Sequence, residues 1–246
     1  MRRFGLLGKN ISYSFSESYF KAKFENEKIL DAKYQNFDIQ NISELTNILS
    51  TTDNLKGLNV TIPYKEEVIP FLTKLDSKAK KIGAVNTIKI NNKNELIGYN
   101  TDCYGFKNSL KPLLKPNHKN AIILGTGGAS KAIAYTLNKF GIDYIYVSRK
   151  PSDLTKITYN NITKDLIRTH HVIVNCSPVG TFPNVEQCPN IPYEAITENH
   201  ILYDLIYNPE ETKFLRLGKQ NGAVTINGLK MLELQAEKAW RIWNKD

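Results

Sequence analysis

Glycines crowded between an apolar run and a helical pattern constrain this chain more than anything else in it. The segment is Gly125-Thr126-Gly127-Gly128-Ala129-Ser130. Residues 121–124 before it read as a strand, residues 127–140 as a helix, and residues 144–147 as the next strand. Such a turn lets the backbone approach a bound group closely and aims a helix N-terminus at it, which suits the pyrophosphate of a dinucleotide. The spacing departs from G-x-G-x-x-G, because Ala129 or Ser130 stands where the third glycine would be. An ordinary tight turn is the bland alternative. The strand before and the helix after favour the nucleotide, with Gly125, Thr126, Gly127, Gly128, Ala129 and Ser130 as candidate contacts.

The following strand ends in Ser148-Arg149-Lys150. A NAD site usually places an Asp or Glu there for the ribose 2′-hydroxyl. No carboxylate is present, and a guanidinium suits a 2′-phosphate, so NADP is preferred over NAD. The missing acid also counts against a methyltransferase. The alternative for this tripeptide is a solvated basic loop.

The chain has 246 residues, enough for one large domain or two modest ones, with 41% hydrophobic and 23% charged residues, as in soluble globular proteins. The net charge of +9 is spread along the sequence, so nucleic acid is not signalled as a partner. Cys103, Cys176 and Cys188 form no C-x-x-C pair, which argues against a disulfide framework or a zinc site and for a reducing cytoplasm. The apolar stretch after Arg3 stops at Lys9, too short for a signal-peptide core, and no run is long enough for a membrane span.

Upstream of the glycines, strands at residues 3–7, 34–39 and 57–62 alternate with helices, the pattern of βαβ units. Ser16 reads as the cap of a helix over residues 17–29. Asn41 or Ser43 opens another. Residues 85–90 and 95–99 flank the turn Asn91-Asn92-Lys93-Asn94. A helix over residues 102–114 leads to the polar stretch 115–120, the best linker candidate. Strands at residues 172–175 and 201–205 and a last helix over residues 228–243 complete the chain.

A nicotinamide enzyme also needs a group to carry the alcohol proton. His118, His170, His171 and His200 all lie in the linker or the nucleotide half. The carrier is therefore expected to be a Lys, Tyr or carboxylate in the first hundred residues. Asn59-Val60-Thr61-Ile62-Pro63-Tyr64-Lys65 puts Asn59 and Thr61 on one side of a strand end and Lys65 after a Pro turn. Asn100-Thr101-Asp102 is a polar cluster at a helix start. Lys65 also reads as a surface lysine and Asp102 as an N-cap.

At this point the chain resembles the shikimate dehydrogenases, in order and over almost its whole length. Ser14-Phe15-Ser16 looks like an S-x-S motif, and residues 59–65 like N-V-T-x-P-[FY]-K. Gly83-Ala84-Val85-Asn86-Thr87 looks like G-A-V-N-T, and Gly98-Tyr99-Asn100-Thr101-Asp102 like G-x-N-T-D. The glycine loop is similar to G-x-G-G-A-[AS], and Ser177-Pro178-Val179-Gly180 to T-P-x-G. Residues 203–209 resemble Y-D-x-x-Y-x-P, and Gly228, Met231, Leu232, Gln235 and Ala236 a final G-x-x-M-L-x-x-Q-A helix.

The resemblance implies an α/β chain. Its N-terminal substrate domain, residues 1–102, is rejoined by residues 226–246. A Rossmann-like NADP-binding domain takes residues 103–225, with a cleft between the two. It implies reversible reduction of 3-dehydroshikimate to shikimate in aromatic amino-acid and chorismate biosynthesis. Lys65 would be the acid/base, with Asp102 on the same hydroxyl. Ser14, Ser16, Thr61, Asn86 and Gln235 would bind substrate, with Asn59 in the same shell and Tyr207 near the carboxylate. Leu205 and Gly228 would line the cofactor beside Ser148, Arg149 and Lys150. A small-molecule substrate, no metal, no nucleic acid, no membrane, and a monomer or homodimer are expected. Glu17 stands where the family has Pro, Ser148-Arg149-Lys150 where it has N-R-T, and Thr181 where it has Met. The alternatives are a NAD-dependent quinate/shikimate dehydrogenase and a silent ligand-binding paralogue, which would have lost Lys65 or Asp102.

Overall fold

The computed structural model describes residues 1–11, 14–150 and 156–245. The chain divides into two compact units: Met1–Thr101 with Gln235–Asp246, and Asp102–Leu234.

The first unit carries strands β1 (Arg2–Gly8), β2 (Ala32–Asp38), β3 (Leu55–Val60), β4 (Lys74–Leu75), β5 (Thr87–Ile90) and β6 (Leu96–Tyr99), with helices α1 (Phe15–Asn26), α2 (Leu45–Thr51) and α3 (Ser77–Ile82). They form one sheet in the order β2-β1-β3-β5-β6-β4. Strand alternation sorts β1 cleanly. Phe4 and Leu6 join a cluster with Phe20, Phe24, Tyr34 and Trp243, while Leu7 joins Leu45, Ile48, Leu58, Val60 and Tyr64. The Trp243 indole N–H donates to the Ile88 carbonyl at 2.9 Å.

Two helix starts differ from the sequence reading. The cap of α1 is Ser14, whose hydroxyl accepts the Glu17 N–H, while Ser16 is buried in the first turn. In the second unit, helix α4 (Asp102–Leu110) begins at Asp102, which is its first helical residue and not its cap. The expected extension to residue 114 becomes a 3₁₀ turn over Lys111–Leu113 because Pro112 disfavours the α conformation before it.

The rest of the second unit alternates strand and helix: β7 (Asn120–Leu124), α5 (Gly128–Phe140), β8 (Asp143–Val147), β9 (Lys156–Ile157), α6 (Lys164–Thr169), β10 (Val172–Asn175), β11 (Ile201–Asp204), α7 (Lys213–Gln220), β12 (Val224–Ile226) and the start of α8 (Leu229–Trp243). Its six strands are all parallel, in the order β12-β11-β10-β7-β8-β9. Counted from β7, that is the Rossmann order 3-2-1-4-5-6, whose switch point lies between β7 and β10. One sheet face packs Ile123, Ile133 and Leu137, and the other Ile122, Ile167 and Phe214. Among the described residues no helix is long and apolar enough to cross a membrane.

Near the opposite, N-terminal ends of these strands lie three imidazoles. The His171 ring is 6.5 Å from that of His118 and 5.1 Å from that of His200. His118 Nδ1 accepts the Lys115 N–H at 2.8 Å, and His200 Nδ1 accepts the Thr197 N–H at 3.0 Å. Their Nε2 atoms donate to the carbonyls of Asn199 and Ile167. Burial holds both rings below the usual histidine range, although Glu198 pulls His200 the other way. The unfolded chain therefore binds more protons below about pH 6.5, and stability falls as pH drops through that window. Asp204, pushed up to about 6 by burial, works in the opposite sense over lower pH. We expect His118→Asn and His200→Asn, which keep an acceptor but do not titrate, each to flatten the fall in unfolding free energy between pH 7 and 5.5 by up to ~1.4 kcal/mol per pH unit. Denaturant melts followed by far-ultraviolet circular dichroism measure this, and equal slopes in all three proteins would refute it.

Candidate active site

Strand register gathers the polar residues of the first unit. Asn36, Leu6, Asn59, Thr87 and Tyr99 are successive partners across β2, β1, β3, β5 and β6. Residues paired in this way share one face of the sheet. The Tyr34 hydroxyl, two residues before Asn36, donates to Asn59 Oδ1 at 2.9 Å. The Asn59 amide donates to the Asn86 carbonyl and to Thr87 Oγ1, both at 3.3 Å. Asn59 therefore shapes this face by holding its neighbours.

The S-x-S segment meets the same row. Ser14 Oγ lies 3.0 Å from Asn36 Oδ1, and Asn36 Nδ2 donates to the Glu17 carboxylate at 2.6 Å. Ser16 hydrogen-bonds the Tyr34 side chain, whose phenol is pushed far up by burial. Glu17, at the position where the family has Pro, is thus part of the cluster that fixes Ser14.

Asn86 is buried and bonded at both ends of its amide. Its Oδ1 accepts the Thr101 N–H at 2.6 Å, and its Nδ2 donates to Thr101 Oγ1 at 3.0 Å and to Gln235 Oε1 at 3.3 Å. Thr61 follows the end of β3, its N–H bonded to the Leu7 carbonyl. The Pro turn is anchored from below by Tyr64, buried, with its hydroxyl on the Ile39 carbonyl at 2.9 Å. The Lys65 carbonyl accepts the Val85 N–H at 2.7 Å, which fixes the backbone of a half-buried lysine. Asp102 is buried and opens the second unit.

In the second unit four parallel strands end at one level. Leu124 pairs with Val147 and with Asn175, and Asn175 pairs with Asp204. The next residues, Gly125, Ser148, Cys176 and Leu205, therefore start four loops side by side. Gly125 has φ +110°, and a Cβ there would lie 3.2 Å from the backbone of Cys176 and Ser177, so the turn demands glycine. Helix α5 has no side-chain cap at Gly127, and a Cβ there would meet open space. Helix α5 thus begins uncapped beside open space, a setting that suits a pyrophosphate. Ser130 is buried, and its hydroxyl donates to the Gly127 carbonyl at 2.7 Å, so it braces the loop. Thr126 is exposed between the two glycines, and Gly128 and Ala129 are the first residues of α5.

Ser148 Oγ donates to the Lys150 carbonyl at 2.7 Å and closes a small turn around Arg149. Arg149 and Lys150 are exposed at the end of β8, beside the glycine loop. Leu205 and Gly228, far apart in sequence, come together here. The Gly228 N–H bonds the Ile206 carbonyl at 2.9 Å, and a Cβ at Gly228 would overlap the Leu205 carbonyl. Tyr207 is half-buried in the same loop, within the second unit.

Sequence reasoning missed Tyr34, Asn36, Thr87 and Thr101. Thr87 and Thr101 stood inside motifs that drew attention to their neighbours. Tyr34 and Asn36 carried no local signal beyond the alternation of β2.

A sequence profile described as the shikimate dehydrogenase substrate binding domain matches residues 6–88. The shikimate dehydrogenase (NADP(+)) of Desulforamulus reducens is 37% identical over 261 residues, covering 97% of this chain and 88% of its own. The crystal structure of shikimate dehydrogenase 1 from Peptoclostridium difficile is similar at 41% identity and a TM-score of 0.85, covering 99% of this chain and 91% of that one. That of the Thermus thermophilus shikimate 5-dehydrogenase, in complex with NADP(H) and shikimate, is 30% identical with a TM-score of 0.85, covering 99% and 94%.

The glycine geometry separates two substitutions. Gly228→Ala should destabilise the protein by about 1–3 kcal/mol, because backbone must shift to admit a methyl group. Gly127→Ala, at an unstrained φ of −75° with open space, should change stability by no more than about 1 kcal/mol. Denaturant midpoints of the two variants read the contrast, and equal losses would contradict it.

Proposed function

Because the chain belongs to the shikimate dehydrogenase family, we propose that it reduces 3-dehydroshikimate reversibly to shikimate with NADPH, a step of aromatic amino-acid biosynthesis. It is an oxidoreductase, and NADP is its cofactor. The observation that carries the reading is the register row of the first unit. There the S-x-S, N-V-T and G-A-V-N-T segments converge as hydroxyls and neutral amides on one face. A small carboxylate bearing three hydroxyls needs such partners more than it needs apolar surface.

In this reading Ser14 and Ser16 hold the carboxylate, with Tyr207 nearby. Thr61, Asn86 and Gln235 bind the hydroxyls. The Gln235 oxygen is already taken by Asn86 and Thr101, which leaves its N–H groups as the end offered to substrate. Lys65 gives and takes the proton of the reacting hydroxyl, and Asp102 accepts a hydrogen bond from that hydroxyl and orients it. The nicotinamide supplies or accepts the hydride. Gly125, Thr126, Gly127, Gly128 and Ala129 seat the pyrophosphate, with Ser130 bracing the loop. Arg149 grips the 2′-phosphate, with Ser148 and Lys150 shaping its turn, and Leu205 and Gly228 line the nicotinamide end.

Absorbance at the reduced-nicotinamide band, with shikimate or quinate and NADP or NAD, tests the activity. Only the shikimate and NADP pair should turn over rapidly, and faster turnover of quinate with NAD would sink the reading. Lys65→Ala should lower kcat by about 10²–10⁴-fold and leave the shikimate KM far less changed. Near-normal turnover in that variant would remove Lys65 from proton transfer. Arg149→Ala should raise the NADP KM by about tenfold and barely touch NAD, since the guanidinium pairs only with the extra phosphate. An equal effect on both cofactors would show that Arg149 does not read the 2′ position.

A further inference from the structure

The reading above gives no work to Asp204, yet this buried carboxylate bonds the end of β10, the loop after β11 and the cap of α7. One oxygen accepts the Asn175 amide at 3.0 Å and the Ile206 N–H at 3.0 Å. The other accepts the Thr212 hydroxyl at 2.7 Å. Thr212 is the cap of α7, so the tie reaches that helix as well. Asn175 passes the tie on. Its Oδ1 accepts the Ser177 hydroxyl at 2.6 Å and the Ser177 N–H at 3.1 Å, and its Nδ2 also reaches the Val179 carbonyl at 3.3 Å. Ile206 passes it the other way, because its carbonyl accepts the Gly228 N–H at 2.9 Å.

From this arrangement we infer that Asp204 is a positioning residue for the cofactor. Through Asn175 and the Ile206 backbone it locks the loop of residues 177–180 to Leu205 and Gly228, and so presets the nicotinamide end of the site. This rests on the functional reading above. A purely local role would need one or two hydrogen bonds within its own loop. Instead the carboxylate bridges the ends of two strands, a helix cap and, at one remove, the start of α8. Buried carboxylates are costly, and one whose three partners all donate is held in a single arrangement. The tie is one of hydrogen bonding more than charge. An asparagine at 204 can keep its oxygen toward Asn175 and Ile206 and donate to Thr212, whose hydroxyl accepts as readily as it donates.

Isothermal titration calorimetry of NADPH, with shikimate KM measured in parallel, tests the inference on the full chain. Asp204→Ala should weaken NADPH binding tenfold or more, with the shikimate KM within about twofold of wild type. Asp204→Asn should return NADPH binding to within about threefold. Thr212→Val, which removes one of the three bonds, should weaken NADPH binding by a smaller factor in the same direction, and keeps the test open should Asp204→Ala not fold. Unchanged NADPH affinity in a folded Asp204→Ala or Thr212→Val protein overturns the inference. So does a shikimate KM that rises as much as the NADPH dissociation constant. Wild-type protein that binds NADPH but does not oxidise shikimate would overturn the functional reading and leave the inference to the calorimetry. Wild-type protein that binds no NADPH would overturn both.

Discussion

Parallel strands that end at the same rung of their ladder force their loops to start side by side, and the second unit is organised by that rung. Leu124, Val147, Asn175 and Asp204 occupy it. The loops proposed above to hold the dinucleotide begin at the next residue of each strand. The crowding this creates is severe enough that a methyl group on Gly228 would overlap the Leu205 backbone and one on Gly125 would press against that of Cys176 and Ser177. The first unit gathers its polar residues along a rung inside a mixed sheet, where β5 runs antiparallel to β3. There the rung runs from Asn36 to Thr87 and presents amides and hydroxyls to one another before any ligand arrives.

That internal saturation has a mechanistic meaning. Among the described residues no buried side-chain nitrogen or oxygen lacks a hydrogen-bond partner. Asn59, Asn86, Thr87 and Thr101 therefore cannot swing freely toward a substrate. They hold a fixed pattern of donors and acceptors, and the ordering cost is met during folding instead of on binding.

The glycine loop, the Rossmann alternation and the ordered motifs were legible in the sequence because each is local. A turn, a cap or a tight approach is written within a few residues. Register is not written that way. Nothing near Tyr34 says that its hydroxyl will meet Asn59, since the pairing of β1 with β2 and β3 is decided by packing across the sheet. The helix start at the S-x-S segment shows the same limit. Both serines suit a cap, and the choice of Ser14 goes with its tertiary contact to Asn36. Helix α7 escaped notice because it is eight residues long and its cap, Thr212, is held by a carboxylate eight residues upstream.

The packing of α8 against β1 has a spectroscopic consequence. Both tryptophans of the chain, Trp240 and Trp243, sit in the aromatic cluster with Phe4, Phe20 and Tyr34, inside the first unit. The dinucleotide unit contains no indole at all. Emission excited at the red edge of the absorption band, where tyrosine is silent, therefore comes from one unit alone. Red-edge emission thus reports the folding of the first sheet and its aromatic cluster.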